Sequence, residues 1–225
     1  MQTKIKIPST TSLEHVPHLW EQNDVLIFLI DLDSYNTLST EHLDGIEKEY
    51  LERLQTRHFK KRYTASRLVL KCILCRLLNE RSVSDIVTYK DEYGKVHVRG
   101  HEELHICISY TGNIVALAIS KVEVGVDMEL KRMLSLSNIS KYLYTKPLDA
   151  DKSGSNLDLL TTWTLKEAYC KFSNKSIFSN FNKEMDFSNV CSSSYIINNI
   201  YILAIITDSN RYTLKICRLQ KISFL

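Results

Sequence analysis

The 225-residue sequence lacks any apolar run long enough to span a bilayer, so no membrane helix is expected. Met1 to Thr11 is polar and lacks the apolar block of a secretion signal, which leads to the expectation of a cytoplasmic chain. An excess of one sign of charge is missing: the formal net charge is only +3, too mild to imply nucleic acid by itself. A disulfide or zinc-type framework of cysteine pairs is also missing. Cys72, Cys75, Cys107, Cys170, Cys191 and Cys217 are scattered through apolar runs, as free thiols in a reducing compartment would be. Cys72 and Cys75 form a CxxC, but it lies in an apolar helix and has no second ligand pair, so it is a weak zinc or redox signal. No internal repeat is visible. What remains is an ordinary globular composition, 44% hydrophobic, enough for one large core or two small ones.

Within it, Val124-Gly125-Val126-Asp127-Met128-Glu129 alternates as a strand does. Period two puts Val124, Val126 and Met128 on one face and Gly125, Asp127 and Glu129 on the other. Two neighbouring carboxylates repel unless something positive lies between them. Gly125 leaves room for a ligand to approach the backbone. Trp163 to Phe172 reads as a helix, with Leu165, Ala168, Tyr169 and Phe172 as its buried stripe. Glu167 and Lys171 lie one turn apart, on the side away from that stripe. Packed beside the strand, this helix would bring three carboxylates and an ammonium together, a donor set suited to Mg²⁺ and phosphate. Taken singly, each block also reads as a solvated edge strand or an ordinary surface ion pair.

Together, Gly-Val-Asp-Met-Glu followed by Trp-Thr-Leu-Lys-Glu-Ala-Tyr-Cys-Lys resembles the paired signature of the 4′-phosphopantetheinyl transferases, in particular the surfactin-type group. The resemblance implies transfer of the 4′-phosphopantetheine arm of coenzyme A to a serine of an acyl or peptidyl carrier protein, releasing 3′,5′-ADP. It implies Asp127, Glu129 and Glu167 around Mg²⁺, Glu167 as general base, Asp127 as a further catalytic group, and Lys171 on phosphate. It implies a monomer built from two similar α/β halves related by a pseudo-twofold axis. The expected division is 1–120 for coenzyme contacts and 121–225 for the carboxylates.

Other segments match this pattern less closely. Arg62-Tyr63-Thr64-Ala65-Ser66-Arg67 resembles the family's early helix, whose basic face meets the coenzyme's 3′-phosphate; Arg62 and Arg67 are the candidates. Ala65, Leu68, Val69 and Cys72 form a core stripe, with Arg67 and Lys71 expected to point away from it. Glu92-Tyr93-Gly94-Lys95 resembles a Gly-Lys-Pro element and offers Lys95, with Val96 in the proline's place. Ser109-Tyr110-Thr111 resembles the family's Ser-His-Ser, whose serine and histidine meet the coenzyme; Ser109 and Tyr110 are the candidates, with Tyr110 in the histidine's place. No glycine follows Lys171 through Phe181, where the family has Gly-x-Gly. These departures leave a second possibility, a weakened paralogue that binds coenzyme A or a carrier without transfer. A nucleic-acid module using the basic helix lacks an aromatic platform.

The irregular alternation of helices, strands and hairpins predicts an α+β fold. Val25–Ile30 is the first buried strand, and Thr40 is a candidate cap for the helix after it. Strands are also expected at 86–89, 96–98, 104–109 and 114–119, a helix at 130–146, and a polar loop at 147–156. The chain should end in a hairpin of 200–206 with 212–217.

Overall fold

In the computed structural model, the described residues are 2–5, 8–35, 38–131, 156–175, 187–208 and 211–222. Nearly all of the expected helix over 130–146 and of the loop 147–156, and most of the segment 173–181, lie outside them; Leu130, expected to open that helix, instead ends a strand. In chain order the elements are β1 Gln2–Ile5, β2 Ser9–Thr11, α1 Val16–Gln22, β3 Val25–Asp31, α2 Gly45–Arg53, α3 Arg57–Leu77, β4 Thr88–Lys90, β5 Val96–Val98, β6 His105–Thr111, β7 Ile114–Ser120, β8 Val124–Leu130, α4 Asn156–Phe172, β9 Cys191–Ile197, β10 Tyr201–Thr207 and β11 Leu214–Leu219. The fold is α+β. Among the described residues no helix is long and apolar enough to cross a membrane.

The chain forms two compact units, Met1–Ile7 with Glu123–Asn210, and Pro8–Val122 with Arg211–Leu225. They differ from a cut at 120/121 because each terminus joins the unit of the other half. β1 runs parallel to β9, and β11 runs parallel to both β2 and β3. Such pairings join residues far apart in sequence and leave no local signal.

The larger unit carries a seven-stranded sheet ordered β2-β11-β3-β7-β6-β5-β4. Leu26, Phe28 and Ile30 of β3 stand directly opposite Ile119, Leu117 and Val115 of β7. That apolar face packs with Ala65, Val69, Ile73 and Leu74 of α3 in one core cluster. Each fully buried aliphatic there contributes roughly 1.5–3 kcal/mol. The expected stripe of α3 is buried, but Arg67 and Lys71 do not point into solvent: they are 2% and 0% exposed. The cap of α2 is Asp44, not Thr40. Asp44 and Glu47 form a reciprocal capping box, and the Thr40 carbonyl accepts from Leu43 N–H instead.

The smaller unit carries a four-stranded sheet ordered β1-β9-β10-β8. The expected terminal hairpin is absent, because β10 lies in this sheet and β11 in the other. The hairpin that forms is β9–β10, with Asn198 and Asn199 at φ of 53° and 58°. Asparagine tolerates this left-handed region better than most side chains.

Candidate active site

β8 and α4 belong to the smaller unit, and one close contact sets their spacing. A Cβ on Gly125 would lie 2.1 Å from the Ala168 carbonyl oxygen and 2.6 Å from both the Phe172 nitrogen and its Cβ. The space beside Gly125, expected to admit a ligand, is filled by the helix. Ala168 packs with Ala204 and Ile206 of β10, flanked by Leu165, Tyr169 and Phe172. Small residues on both surfaces allow strand and helix backbones to approach.

The flank of α4 beside Ala168 then reaches the strand. Glu167 and Lys171, expected on the side away from the buried stripe, turn toward Asp127. Ligand oxygens of Asp127, Glu129 and Glu167 lie within 4.8 Å of one another. Lys171 Nζ donates to Asp127 Oδ1 at 2.7 Å, with the Asp127 side chain 3% exposed and that of Lys171 32%. Burial first, and then the negative charge of Asp127, push the Glu167 carboxyl up to about 8; Lys171 acts against this rise, while Glu129 and a hydrogen bond with Asp127 add to it. The arrangement is therefore a proton-holding carboxyl in a crowded anionic cluster. Three carboxylate oxygens at this spacing fit a hard divalent cation, whose charge would relieve the repulsion.

The remaining candidates belong to the larger unit. Arg62 lies over the Tyr110 ring, 4.7 Å from its centroid. Ser66 Oγ meets the Tyr110 hydroxyl at 2.6 Å and donates to the Tyr63 carbonyl at 3.0 Å. With the serine proton on that carbonyl, the Tyr110 hydroxyl can donate to Ser66; either hydroxyl can be the donor of the 2.6 Å bond. Burial raises the Tyr110 pKa, while the Ser66 bond and the charges of Arg67 and Arg62 oppose the rise. Arg62, Arg67 and Tyr110 are thus brought together. Ser109 is 2% exposed. Lys95 sits on a tight turn, where Gly94 has φ of 92° and Asp91 Oδ1 accepts from Lys95 N–H at 2.9 Å.

Sequence reasoning overlooked the groups around Arg67. Lys71 Nζ lies 2.7 Å from Glu47 Oε2 and 3.6 Å from Asp44 Oδ2. The Asp44-x-x-Glu47 capping box was the available signal, since it places both carboxylates at one helix start.

Tyr110→Phe is expected to lower stability in denaturant unfolding by about 1 kcal/mol, the net value of one hydrogen bond. A loss of coenzyme A affinity with unchanged stability would instead place the hydroxyl on the ligand.

No family model matches the chain. The chain is similar to the 4′-phosphopantetheinyl transferase Sfp of Bacillus subtilis (strain 168), with 28% identity over 135 residues. The match covers 56% of this chain and 60% of that relative. It is a distant relationship over part of each protein, and it supports the phosphopantetheinyl transferase superfamily.

Proposed function

We propose that this chain is a surfactin-type 4′-phosphopantetheinyl transferase, with two similar halves and Mg²⁺ as its metal. The observation that carries the reading is the convergence of Asp127, Glu129, Glu167 and Lys171 from a strand and a helix that Gly125 holds in contact. The distant similarity to a named transferase agrees with it.

In this reading coenzyme A donates its arm to an acyl or peptidyl carrier protein. The carrier serine oxygen bonds to the phosphorus that bears pantetheine, and the bond from that phosphorus to the bridging oxygen breaks. 3′,5′-ADP leaves with the bridging oxygen. Mg²⁺ held by Asp127, Glu129 and Glu167 would neutralise charge on the pyrophosphate. Glu167 takes the serine proton, directly or through one water, as the carboxylate beside the reacting phosphate. Lys171 holds a phosphate oxygen with its ammonium, close to Asp127. Arg62, Arg67 and Lys95 hold further phosphate oxygens of the coenzyme.

The test mixes the purified chain with coenzyme A, Mg²⁺ and an apo carrier, followed by intact-mass spectrometry. The carrier gains the mass of the arm, and EDTA stops the gain. Tight coenzyme A binding with no modification of any apo carrier would establish the binding-only alternative. The tyrosine at 110 in place of the family's histidine, with its hydroxyl bonded to Ser66, is the observation that keeps that second reading in play.

A further inference from the structure

We propose that Thr88 is a positioning residue that keeps Arg67 open to an anionic ligand by standing between its guanidinium and the Glu47 carboxylate. This rests on the reading above, in which Arg67 meets a phosphate of coenzyme A.

Arg67 is 2% exposed and lines a cavity of about 410 Å³ whose wall mixes four tyrosines with the cations Arg53 and Lys90 and the carboxylates of Glu47, Glu49, Asp91 and Glu92. One turn further along α3, Lys71 is fully buried. Two buried cations need compensation, because an uncompensated buried charge is costly. Asp44 and Glu47 supply it, so the four groups balance at zero net charge. The pairing within the group is uneven. Lys71 takes both carboxylates, at 2.7 Å from Glu47 Oε2 and 3.6 Å from Asp44 Oδ2, and also donates to the His42 carbonyl at 3.1 Å.

Glu47 Oε1 accepts the Thr88 hydroxyl proton. A threonine hydroxyl has one proton, so with that proton on Glu47 its oxygen offers Arg67 only lone pairs. Arg67 Nη1 lies 3.5 Å from that oxygen. Among the described residues Arg67 forms no ion pair, and its buried Nε has no hydrogen-bond partner. The Tyr63 ring lies beneath the guanidinium, 5.3 Å from centroid to Cζ. The cation is thus oriented by a hydroxyl and a ring, and balanced by a carboxylate one group away. Tyr63 also accepts a side-chain hydrogen bond from Arg67, while Nε, at the edge of the cavity, is the donor left without a partner. Without the hydroxyl, Glu47 Oε1 loses its Thr88 donor, and Arg67, whose Nη1 lies 3.5 Å from that hydroxyl, becomes a second cation beside Lys71 for the carboxylate to engage. A direct ion pair there would close the guanidinium to a ligand. Preorganisation of this kind raises affinity by avoiding reorganisation on binding.

The experiment is calorimetric titration of the full chain with coenzyme A and, separately, with inorganic pyrophosphate. The variants are Thr88→Val, Thr88→Ala, Thr88→Ser, Arg67→Ala and the Arg67→Ala/Thr88→Val double variant, each checked for folding by thermal unfolding. Thr88→Val and Thr88→Ala are expected to weaken coenzyme A about tenfold or more, about 1.4 kcal/mol. Thr88→Ser should remain within about twofold of wild type. The double variant should bind no more weakly than Arg67→Ala alone, since Thr88 acts only through Arg67. Wild-type affinity in a folded Thr88→Val or Thr88→Ala variant would overturn the proposal, as would losses that add in full in the double variant. If transfer proceeds and the Thr88 variants are silent, positioning fails and the transferase reading stands. If pyrophosphate binding follows Thr88 and Arg67 while coenzyme A does not bind, positioning stands and the transferase reading fails. Binding of neither probe by the folded wild type overturns both.

Discussion

Gly125→Ala is expected to lower the melting temperature by roughly 6–12 °C, the equivalent of about 3 kcal/mol in a chain of this size. The new methyl would occupy space held by the Ala168 carbonyl oxygen and the Phe172 backbone nitrogen. Helix backbone cannot swing aside as a flexible side-chain end does, so α4 must lift from β8. Lifting also parts Glu167 and Lys171 from Asp127, so carrier modification should fall by more than the folded fraction accounts for. Gly45→Ala serves as the control: its Cβ would meet nothing within 4 Å, and the position opens a helix. Alanine there should be neutral or slightly stabilising. A Gly125→Ala protein that melts like wild type would show that this contact does not hold the helix.

In the proposed reading, Glu167→Gln should reduce transfer by about a thousandfold or more, because it would remove both an anionic ligand and the proton acceptor; that loss is about 4 kcal/mol of barrier. The same variant has a signature without substrate. In the metal-free protein the Glu167 pKa is about 8, against an ordinary value of 4.5. Between those values the folded state binds more protons than the unfolded state, so stability falls as pH rises. The fall should amount to a few kcal/mol at most, on the order expected for a partly buried carboxyl coupled to a neighbour. Glu167→Gln, which cannot ionise, should flatten that slope in unfolding measured from pH 5 to 8. Added Mg²⁺ should raise the wild-type melting temperature more at pH 8 than at pH 5.5, since the ionised carboxylates bind it better. Asp24 does not confuse this window. Hydrogen bonds from Thr213 hold its carboxyl below the usual range, so its contribution is lost only in acid. An identical pH slope in the variant and wild type would remove Glu167 as the titrating group.

The strands at 25–31, 96–98, 105–111, 114–120 and 124–130 were legible because their own residues carry the pattern: continuous apolar runs or strict alternation. Turn chemistry at Gly94 and Gly112 was legible for the same reason, since a positive φ is a local demand. Asn198-Asn199 carried a similar signal that was overlooked in favour of Asp208-Ser209-Asn210. The candidate site was legible in its residue types and spacings, but its orientation was not. A helical wheel placed Glu167 and Lys171 away from the apolar stripe. It could not show how close α4 comes to the strand, because that distance depends on Gly125 meeting Ala168 across 43 residues.

Burial of charge was the other matter a single segment could not decide. Arg67 and Lys71 have the same composition signal as the solvated residues Arg57 and Lys60, yet they are among the most buried side chains. Their burial depends on the carboxylates of Glu47 in α2 and of Asp44 that caps it, and on a hydroxyl from β4, which no periodicity within α3 reveals. The sequence by itself determined the local elements, the α+β class and the chemistry available on β8 and α4, because these depend on side-chain period and residue type. Only the tertiary structure decided which terminus joins which sheet, which cations are buried, and that three carboxylates and a lysine meet. Those outcomes depend on long-range strand pairing and backbone approach, which are energies between segments and not properties of any one of them.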